Sequence, residues 1–488
     1  MKVFVPLAAS EAATSEDDNP LKIEFTGRIL LIGFGGVGRG ILPALLKHTT
    51  VDPKNITVIE KDDSTEHFQS MYADTGIHYR VKELTRDTMG DDLAQLVGPG
   101  DLIVNLSLNI DGIEIVQWCL RHKVMYIDTS IERWPDVPDE KLDLAERTLY
   151  TTHRKIREMA KEHKEGSTCV VTHGANPGLV SHFVKAALID MAKHLHIDTE
   201  EPQTQEQWAR LMDDLGVKVI HIAERDTQVI DRPKVKNEFV NTWSCEGFWA
   251  EGRAPAEMGW GSHEPTLPRH AFEHEDGPRN AIYFEKPGVS LMAKSWVPKG
   301  GEINGFCIQH SEAITISEYF TLYREDKVVF RPTVHYVYCP CDAALVSVHE
   351  FKGRELEMQD SRRIAREEIV AGIDELGVFL MGEQVNWWYG SQLGIKQTRN
   401  LLPDNNATTL QVVASMLGAL AWMVRHPNEG YCEPEDLPYR EVLEVALPYL
   451  GPMVSQSTEW MPTQHLNKLF NRPINNDNPF AFANFRVY

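Results

Sequence analysis

Ile29-Leu30-Leu31-Ile32-Gly33-Phe34-Gly35-Gly36-Val37-Gly38 is the stretch whose reading decides the fold. An apolar run ends at Gly33, and further glycines follow at Gly35 and Gly38 before a helix-forming segment. A strand, this glycine spacing and a helix together make a cradle for a dinucleotide phosphate. Gly33 permits the tight strand-to-helix turn, Gly35 lets the backbone approach a pyrophosphate without a Cβ, and Gly38 allows the helix to pack on the strand. Gly36 and Val37 complete the loop, where the first helical N–H groups and a partial positive charge face the phosphates. A second apolar run, Ile56-Thr57-Val58-Ile59, ends at Glu60, 22 residues past Gly38. An acid there accepts hydrogen bonds from the adenosine ribose and repels a 2′-phosphate, so NAD is expected rather than NADP. Lys61, directly after it, works against that preference. The bland alternative is a glycine-rich turn beside a solvated acid; it leaves the common register of strand, glycines, helix and acid to chance.

Outward from this stretch, strands are expected at Arg28–Ile32, Ile56–Ile59, Leu102–Leu106 and Met125–Ile127. They are continuously apolar, as in a parallel sheet covered on both faces. Helices are expected at Gly38–Lys47 and Gly112–His122. The fold class is therefore α/β, with an N-terminal Rossmann doubly wound parallel sheet over residues 21–170. Ligands of such sheets bind outside the carboxyl ends of the strands. Asn105, Ser107 and Thr129 stand there as candidate cofactor contacts, although each also suits the capping of a helix. A charged helical segment, Leu142–His163, leads out of the domain, followed by a strand-like Ser167–Thr172 and a helix from Leu179 to about His194. Beyond Thr204, strand-like pieces (Val217–Ala223, Ala281–Phe284, Ala313–Tyr323, Val334–Tyr338) alternate with loops rich in Gly, Pro and Trp. This texture predicts a larger α+β domain over 171–488. It ends in helices such as Ala407–Val424, which can dock back on the first domain. Residues 1–20 read as a disordered leader.

The formal net charge of −22 over 488 residues argues against a nucleic-acid partner, whose phosphates it would repel. It suits cationic substrates, and equally suits plain solubility. The longest apolar run, Val412–Val424, has 13 residues, against roughly 18 for a membrane span, so no membrane partner is expected. The first 19 residues lack the pattern of a signal peptide. Seven cysteines are scattered, and the spacing of the one close pair, Cys339-Pro340-Cys341, does not suit a zinc loop. Reduced thiols, no metal and a cytoplasmic location are the expectation.

A second cluster joins Glu224-Arg225-Asp226 to Asn241-Thr242-Trp243-Ser244, Glu246 and Glu251. Acids and an indole at strand ends can hold an ammonium group, by charge pairing and by a cation–π contact. On pattern alone, each reads more readily as a core aromatic or a surface charge. Asn176, in Gly174-Ala175-Asn176-Pro177-Gly178, is either a turn residue or an amide at the nicotinamide end of the cofactor. His310, between Gln309 and Glu312, is either a proton carrier or one of many structural histidines.

Longer stretches carry a resemblance. They are Ile32-Gly33-Phe34-Gly35, Tyr126-Ile127-Asp128-Thr129 with Glu132 and Trp134, Gly174–Gly178, His221–Gln228, Val240–Ser244, Gly372–Gly377, Trp388–Leu393 and Pro448–Pro452. Together they resemble the bacterial homospermidine synthases of the saccharopine-dehydrogenase-like group, over nearly the whole chain. The resemblance implies an enzyme that joins two putrescines, or spermidine and putrescine, into homospermidine. In that family NAD⁺ takes a hydride from an amine-bearing carbon and a second diamine attacks the resulting imine. Ammonia or 1,3-diaminopropane leaves, and the hydride returns. NAD then behaves as a prosthetic group. The second domain becomes one for substrate binding and dimerisation, and the partners become diamines and a second copy of the chain. Residue by residue, Glu224 and Asp374 resemble acids that hold the amine, and Trp243 the cation–π residue. Glu132 and Glu251 resemble acids further out along a channel, His310 an acid/base, and Asn176 a residue touching both cofactor and substrate. A reductive condensing dehydrogenase of the saccharopine or carboxynorspermidine type is the alternative, with Arg225 and Arg253 as its carboxylate clamps. A non-catalytic NAD-binding sensor is a third reading.

Overall fold

Alternate residues of the first strand enter two different cores: Ile29 and Leu31 join one apolar cluster, Leu30 and Ile32 another. A strand whose two faces are both apolar needs cover on both sides, which is why the sequence reads as a continuous run. A computed structural model of the chain describes residues 22–136, 138–163, 166–403, 405–465 and 474–487. The expected leader lies outside the described residues. The N-terminal sheet contains β1 (Ile29–Ile32), β2 (Ile56–Glu60), β3 (His78–Val81), β4 (Leu102–Asn105), β5 (Met125–Asp128) and β6 (Cys169–Val170). All are parallel, in the order β3-β2-β1-β4-β5-β6. Leu102, Val104, Met125 and Ile127 point to the same side as Ile29, whereas Ile103 and Tyr126 point to the other. The chain reverses strand order between β1 and β4, and this opens the ligand crevice at their carboxyl ends.

A seventh parallel strand comes from far along the chain: Tyr431–Cys432 pairs with Cys169–Val170 at the sheet edge. A bidentate ion pair holds the returning segment, Arg157 to Glu433 (Nε–Oε1 2.7 Å, Nη2–Oε2 2.6 Å). Helix Ala407–Arg425 lies against the first helix, α1 (Gly36–His48). It is the one described helix long and apolar enough to cross a membrane, but 89% of its most apolar window is buried inside the fold. It is longer than the apolar run in the sequence because Thr408, Thr409 and Gln411 are also buried, each with a hydrogen-bond partner.

The second sheet has ten strands and mixed direction. Its central strand, Val217–Asp226, lies parallel to Thr333–Cys339 and antiparallel to Ile373–Gly382. Glu224 stands opposite Tyr338 and Leu376, and Asp226 opposite Asp374. Side chains alternate along a strand, so Glu224, Asp226, Asp374, Tyr336 and Tyr338 share one face, and Arg225 points to the other.

Two expected elements differ. Ala313–Tyr323 is not a strand: Ser311–Tyr319 is a helix, and a short strand, Leu322–Arg324, follows. Residues 311–317 are all buried. A segment covered on every side shows no period, and its β-branched residues then read as strand. The charged segment Leu142–His163 divides into a short 3₁₀ turn, Leu144–Arg147, and a helix, Leu149–Lys161. The helix start is fixed by Glu257 of the second sheet, whose carboxylate accepts the Leu149 and Tyr150 N–H groups (2.8 and 3.0 Å).

Candidate active site

The dinucleotide cradle has the geometry that its glycines require. Gly33 has φ +96°, and a methyl group there would meet the Leu106 backbone at 2.9 Å. A methyl on Gly38 would stand 2.3 Å from the Gly33 carbonyl, whereas one on Gly35 would meet nothing within 4 Å. The first turn of α1 has neither a side-chain cap nor an acidic residue, so its N–H groups face open space suited to a pyrophosphate. Glu60 closes the far side. Its Oε2 accepts the Phe34 N–H (2.6 Å) and its Oε1 the Lys61 N–H (2.8 Å). Asn105 Oδ1 accepts both the N–H and the hydroxyl of Ser107 (3.2 and 2.7 Å), setting the loop that lies against Gly33. Asn105 Nδ2 donates to the Tyr126 hydroxyl, which donates to Asp128 Oδ2 (3.0 and 2.8 Å). Burial pushes the Asp128 carboxyl up to about 7. Thr129 lies against the Gly174 turn, 3.4 Å from where a Gly174 methyl would be. These residues fit a bound dinucleotide.

Past that turn, Asn176 Nδ2 donates to Glu224 Oε2 (2.8 Å), and the Tyr336 hydroxyl donates to the same oxygen. Asp226 accepts from the Thr242 hydroxyl (2.8 Å) and the Gln228 N–H (2.8 Å), and Asp374 Oδ2 from the Thr408 hydroxyl. Asp374 Oδ1 is buried with no hydrogen-bond partner among the described residues. Burial raises all three acids, Glu224 to about 7, and the charges of Glu224 and Asp226 push Asp374 higher still. Their donors Asn176, Tyr336, Thr242, Gln228 and Thr408 are neutral, and Asp374 is also set against the Glu224 carboxyl. Trp243 forms the adjoining wall: its Nε1 donates to the Tyr338 hydroxyl (2.9 Å), and its ring stacks on Phe248.

Further out lies a cavity of about 580 Å³, lined among others by Glu132, Glu251, His310, Pro177 and Trp249. His310 sits between two carboxylates, Nε2 3.1 Å from Glu251 and Nδ1 3.1 Å from Glu312. Burial alone would lower its pKa, but the charges of Glu312 and Glu251 raise it to about 10. The imidazolium therefore persists at neutral pH. Its ring packs on Tyr336 (4.2 Å between centroids), which joins the outer cavity to Glu224. Burial raises Glu132 and Glu251, and the Glu251 charge adds to the shift of Glu132.

The structure thus brings Asn176, Glu224, Asp374 and Trp243 together, and places Glu132, Glu251 and His310 in the adjoining cavity. Glu246 stays outside, paired with Arg362 at the surface. Arg225 Nη1 is engaged by the backbone carbonyls of Asp226 and Pro340 (2.5 and 3.0 Å), on the opposite face of the sheet. Arg253 pairs with Asp139 and packs on Trp249. Sequence reasoning missed Tyr336, Tyr338, Thr408 and Glu312. The two tyrosines stand two residues apart in an expected strand, the one signal that put them on a common face.

Two family models cover most of the chain: the saccharopine dehydrogenase NADP binding domain over residues 29–171 and the saccharopine dehydrogenase C-terminal domain over residues 174–458. The homospermidine synthase of Blastochloris viridis is 40% identical over 96% of this chain and 99% of its own. That of Mesorhizobium japonicum is 38% identical over 96% and 98%. The crystal structure of the homospermidine synthase from Legionella pneumophila in complex with NAD aligns with a TM-score of 0.90, at 36% identity, over 96% of this chain and all of that one. This chain belongs to the homospermidine synthase family, within the saccharopine-dehydrogenase-like group.

Proposed function

We propose that this protein joins two putrescines, or spermidine and putrescine, into homospermidine, releasing ammonia or 1,3-diaminopropane. The observation that carries this reading is the buried trio Glu224, Asp226 and Asp374, held by neutral donors and with Asp374 set against the Glu224 carboxyl. Ionised together in a low-dielectric site these acids would repel one another, so they hold protons until a cation takes their place. A substrate ammonium is that cation. NAD, when bound, supplies reversible hydride transfer, so the overall reaction is redox-neutral.

The chain's own residues bind, orient and move protons. Glu224 and Asp374 hold the amine beside the cradle, and Asn176 fixes the Glu224 carboxylate. The Trp243 face holds the second charge of the diamine. Glu251 and Glu132 draw the distal ammonium along the outer cavity, and the enclosed site shields an imine from water. His310 holds its proton through Glu251 and Glu312. A substrate ammonium engaging Glu251 weakens that hold and lets His310 protonate the leaving amine. Of the two arginine clamps a reductive condensation would use, Arg225 is held by backbone carbonyls on the opposite face of the sheet, and Arg253 borders the outer cavity paired with Asp139.

The test is incubation with putrescine and catalytic NAD⁺. Homospermidine and ammonia without accumulated NADH is the expected result; consumption of NADH with an amine and a keto acid would instead move the protein to the condensing dehydrogenases. Trp243→Ala should lower kcat/KM for putrescine by ~30-fold, the scale of a desolvated cation–π contact, and leave NAD affinity unchanged. Steady-state kinetics and NADH fluorescence check both, and unaltered turnover would remove the aromatic role. A homodimer in the cytoplasm belongs to the same proposal. Light scattering should give twice the 55.4 kDa chain mass.

A further inference from the structure

Arg366 is carried by the second domain, yet it faces the glycine cradle of the first. A methyl group on Gly36 would stand 3.8 Å from Arg366 Nη2 and 3.9 Å from the Thr409 hydroxyl. Gly36 is the first residue of α1, where a dinucleotide pyrophosphate meets the backbone N–H groups. The start of that helix at Gly36 therefore has a guanidinium in ordinary contact range.

The backbone around Arg366 is pinned on several sides. Its N–H donates to Glu368 Oε2 (3.0 Å), and its carbonyl accepts from Arg399 Nη2 (3.0 Å) and the Ile369 N–H (3.1 Å). Asn406 holds the preceding residue. Its Nδ2 donates to the Ala365 carbonyl (2.9 Å) and to that of Thr242 (2.5 Å), while its Oδ1 caps helix Ala407–Arg425 by accepting the Thr409 N–H (2.8 Å). The Ala407 N–H is taken by Gln228 (3.0 Å). Those helical N–H groups are thus satisfied internally, and it is the Arg366 guanidinium and the Thr409 hydroxyl that face the cradle. A guanidinium is suited to phosphate because its planar fork makes two charge-assisted hydrogen bonds.

We infer that Arg366 is a cofactor-positioning residue, binding the pyrophosphate of the dinucleotide from the second domain while the α1 backbone binds it from the first. The inference rests on the NAD reading above. It places both sides of the cofactor's phosphates under different domains. The same Asn406 and Thr408 that flank this contact also reach Thr242, next to Trp243, and Asp374. Holding the phosphates and shaping the amine pocket are tasks of one helix start.

The test compares full-length wild type with Arg366→Ala and Arg366→Lys, without turnover. NADH binding is followed by fluorescence, and ADP-ribose and adenosine by competition. The expected result for Arg366→Ala is NADH and ADP-ribose binding weaker by ~10- to 100-fold, the scale of a charged hydrogen bond. Adenosine, which has no phosphate, should compete equally well against both proteins. Arg366→Lys should recover part of the loss. Wild-type affinity of Arg366→Ala for NADH and ADP-ribose would overturn the inference. So would an equal loss for adenosine with a lowered melting temperature that lysine does not restore, which would assign Arg366 to the fold. Wild type that binds none of the nucleotides would overturn the NAD reading itself, and the inference with it.

Discussion

Glu224→Gln is expected to lower putrescine turnover by ~100-fold or more, the scale of removing one partner from a buried ion pair, while making the substrate-free protein more stable at pH 8. The two effects have one cause. Burial raises the Glu224 carboxyl from 4.5 to about 7 on folding. Between those values the folded state binds the extra proton, so its contribution to stability is present below about 4.5 and is lost as pH rises through about 7. Above that, the ionised group destabilises the empty protein by an amount on the order of 3 kcal/mol. A neutral glutamine escapes this cost but cannot pair with an ammonium. The melting temperatures of the two proteins should therefore agree at pH 4.5 and separate at pH 8 in favour of the variant. Saturating putrescine should close the gap by stabilising wild type alone. The wild-type kcat/KM should rise with pH through about 7, as Glu224 ionises. A variant less stable at both pH values, with ordinary kinetics, would make Glu224 a structural residue.

Gly38→Ala is expected to weaken cofactor binding by ~100-fold. Its methyl would stand 2.3 Å from the Gly33 carbonyl and 3.1 Å from its carbon. Both are backbone atoms of the strand-to-helix turn, so no flexible side chain can yield. The start of α1 has to move off β1, at about 1–3 kcal/mol or more for an overpacked contact. The N–H groups that meet the pyrophosphate move with it. NADH affinity should fall by ~100-fold, since displacement removes several charged hydrogen bonds together, and the melting temperature should drop. Gly36→Ala is the control, because its methyl would meet only the ends of two side chains at ordinary contact distance. It should keep the melting temperature of wild type. Unchanged NADH affinity in Gly38→Ala would show that this turn does not set the cradle.

The first domain was legible because its signals are local. Ile29–Gly38 contains strand, turn and helix start within ten residues, and Glu60 follows at the end of the next strand. The amine pocket was legible in part: Glu224, Trp243 and Glu251 stood out as a cluster able to hold an ammonium, and the resemblance gave them roles and added Asp374. Asp226 and Asp374 are 148 positions apart and become opposite neighbours by strand register, which composition does not show. Trp243 read more readily as core than as site on pattern alone, and it has features of both: one ring face on Phe248 and its N–H on Tyr338. Helix Ser311–Tyr319 was read as strand because full burial erased its period. Arg366 left no signal at all, being one arginine in a charged stretch until the chain folds it against Gly36.

The strand Tyr431–Cys432, which completes the N-terminal sheet, has a bearing on biosynthesis. During synthesis from the N-terminus, β6 emerges more than 250 residues before its neighbour, so until then the edge Cys169–Val170 offers unpaired N–H and C=O groups to any other strand. A fragment ending near residue 171 keeps that edge permanently. It should collect in inclusion bodies, whereas a chain that includes Tyr431–Cys432 pairs that edge.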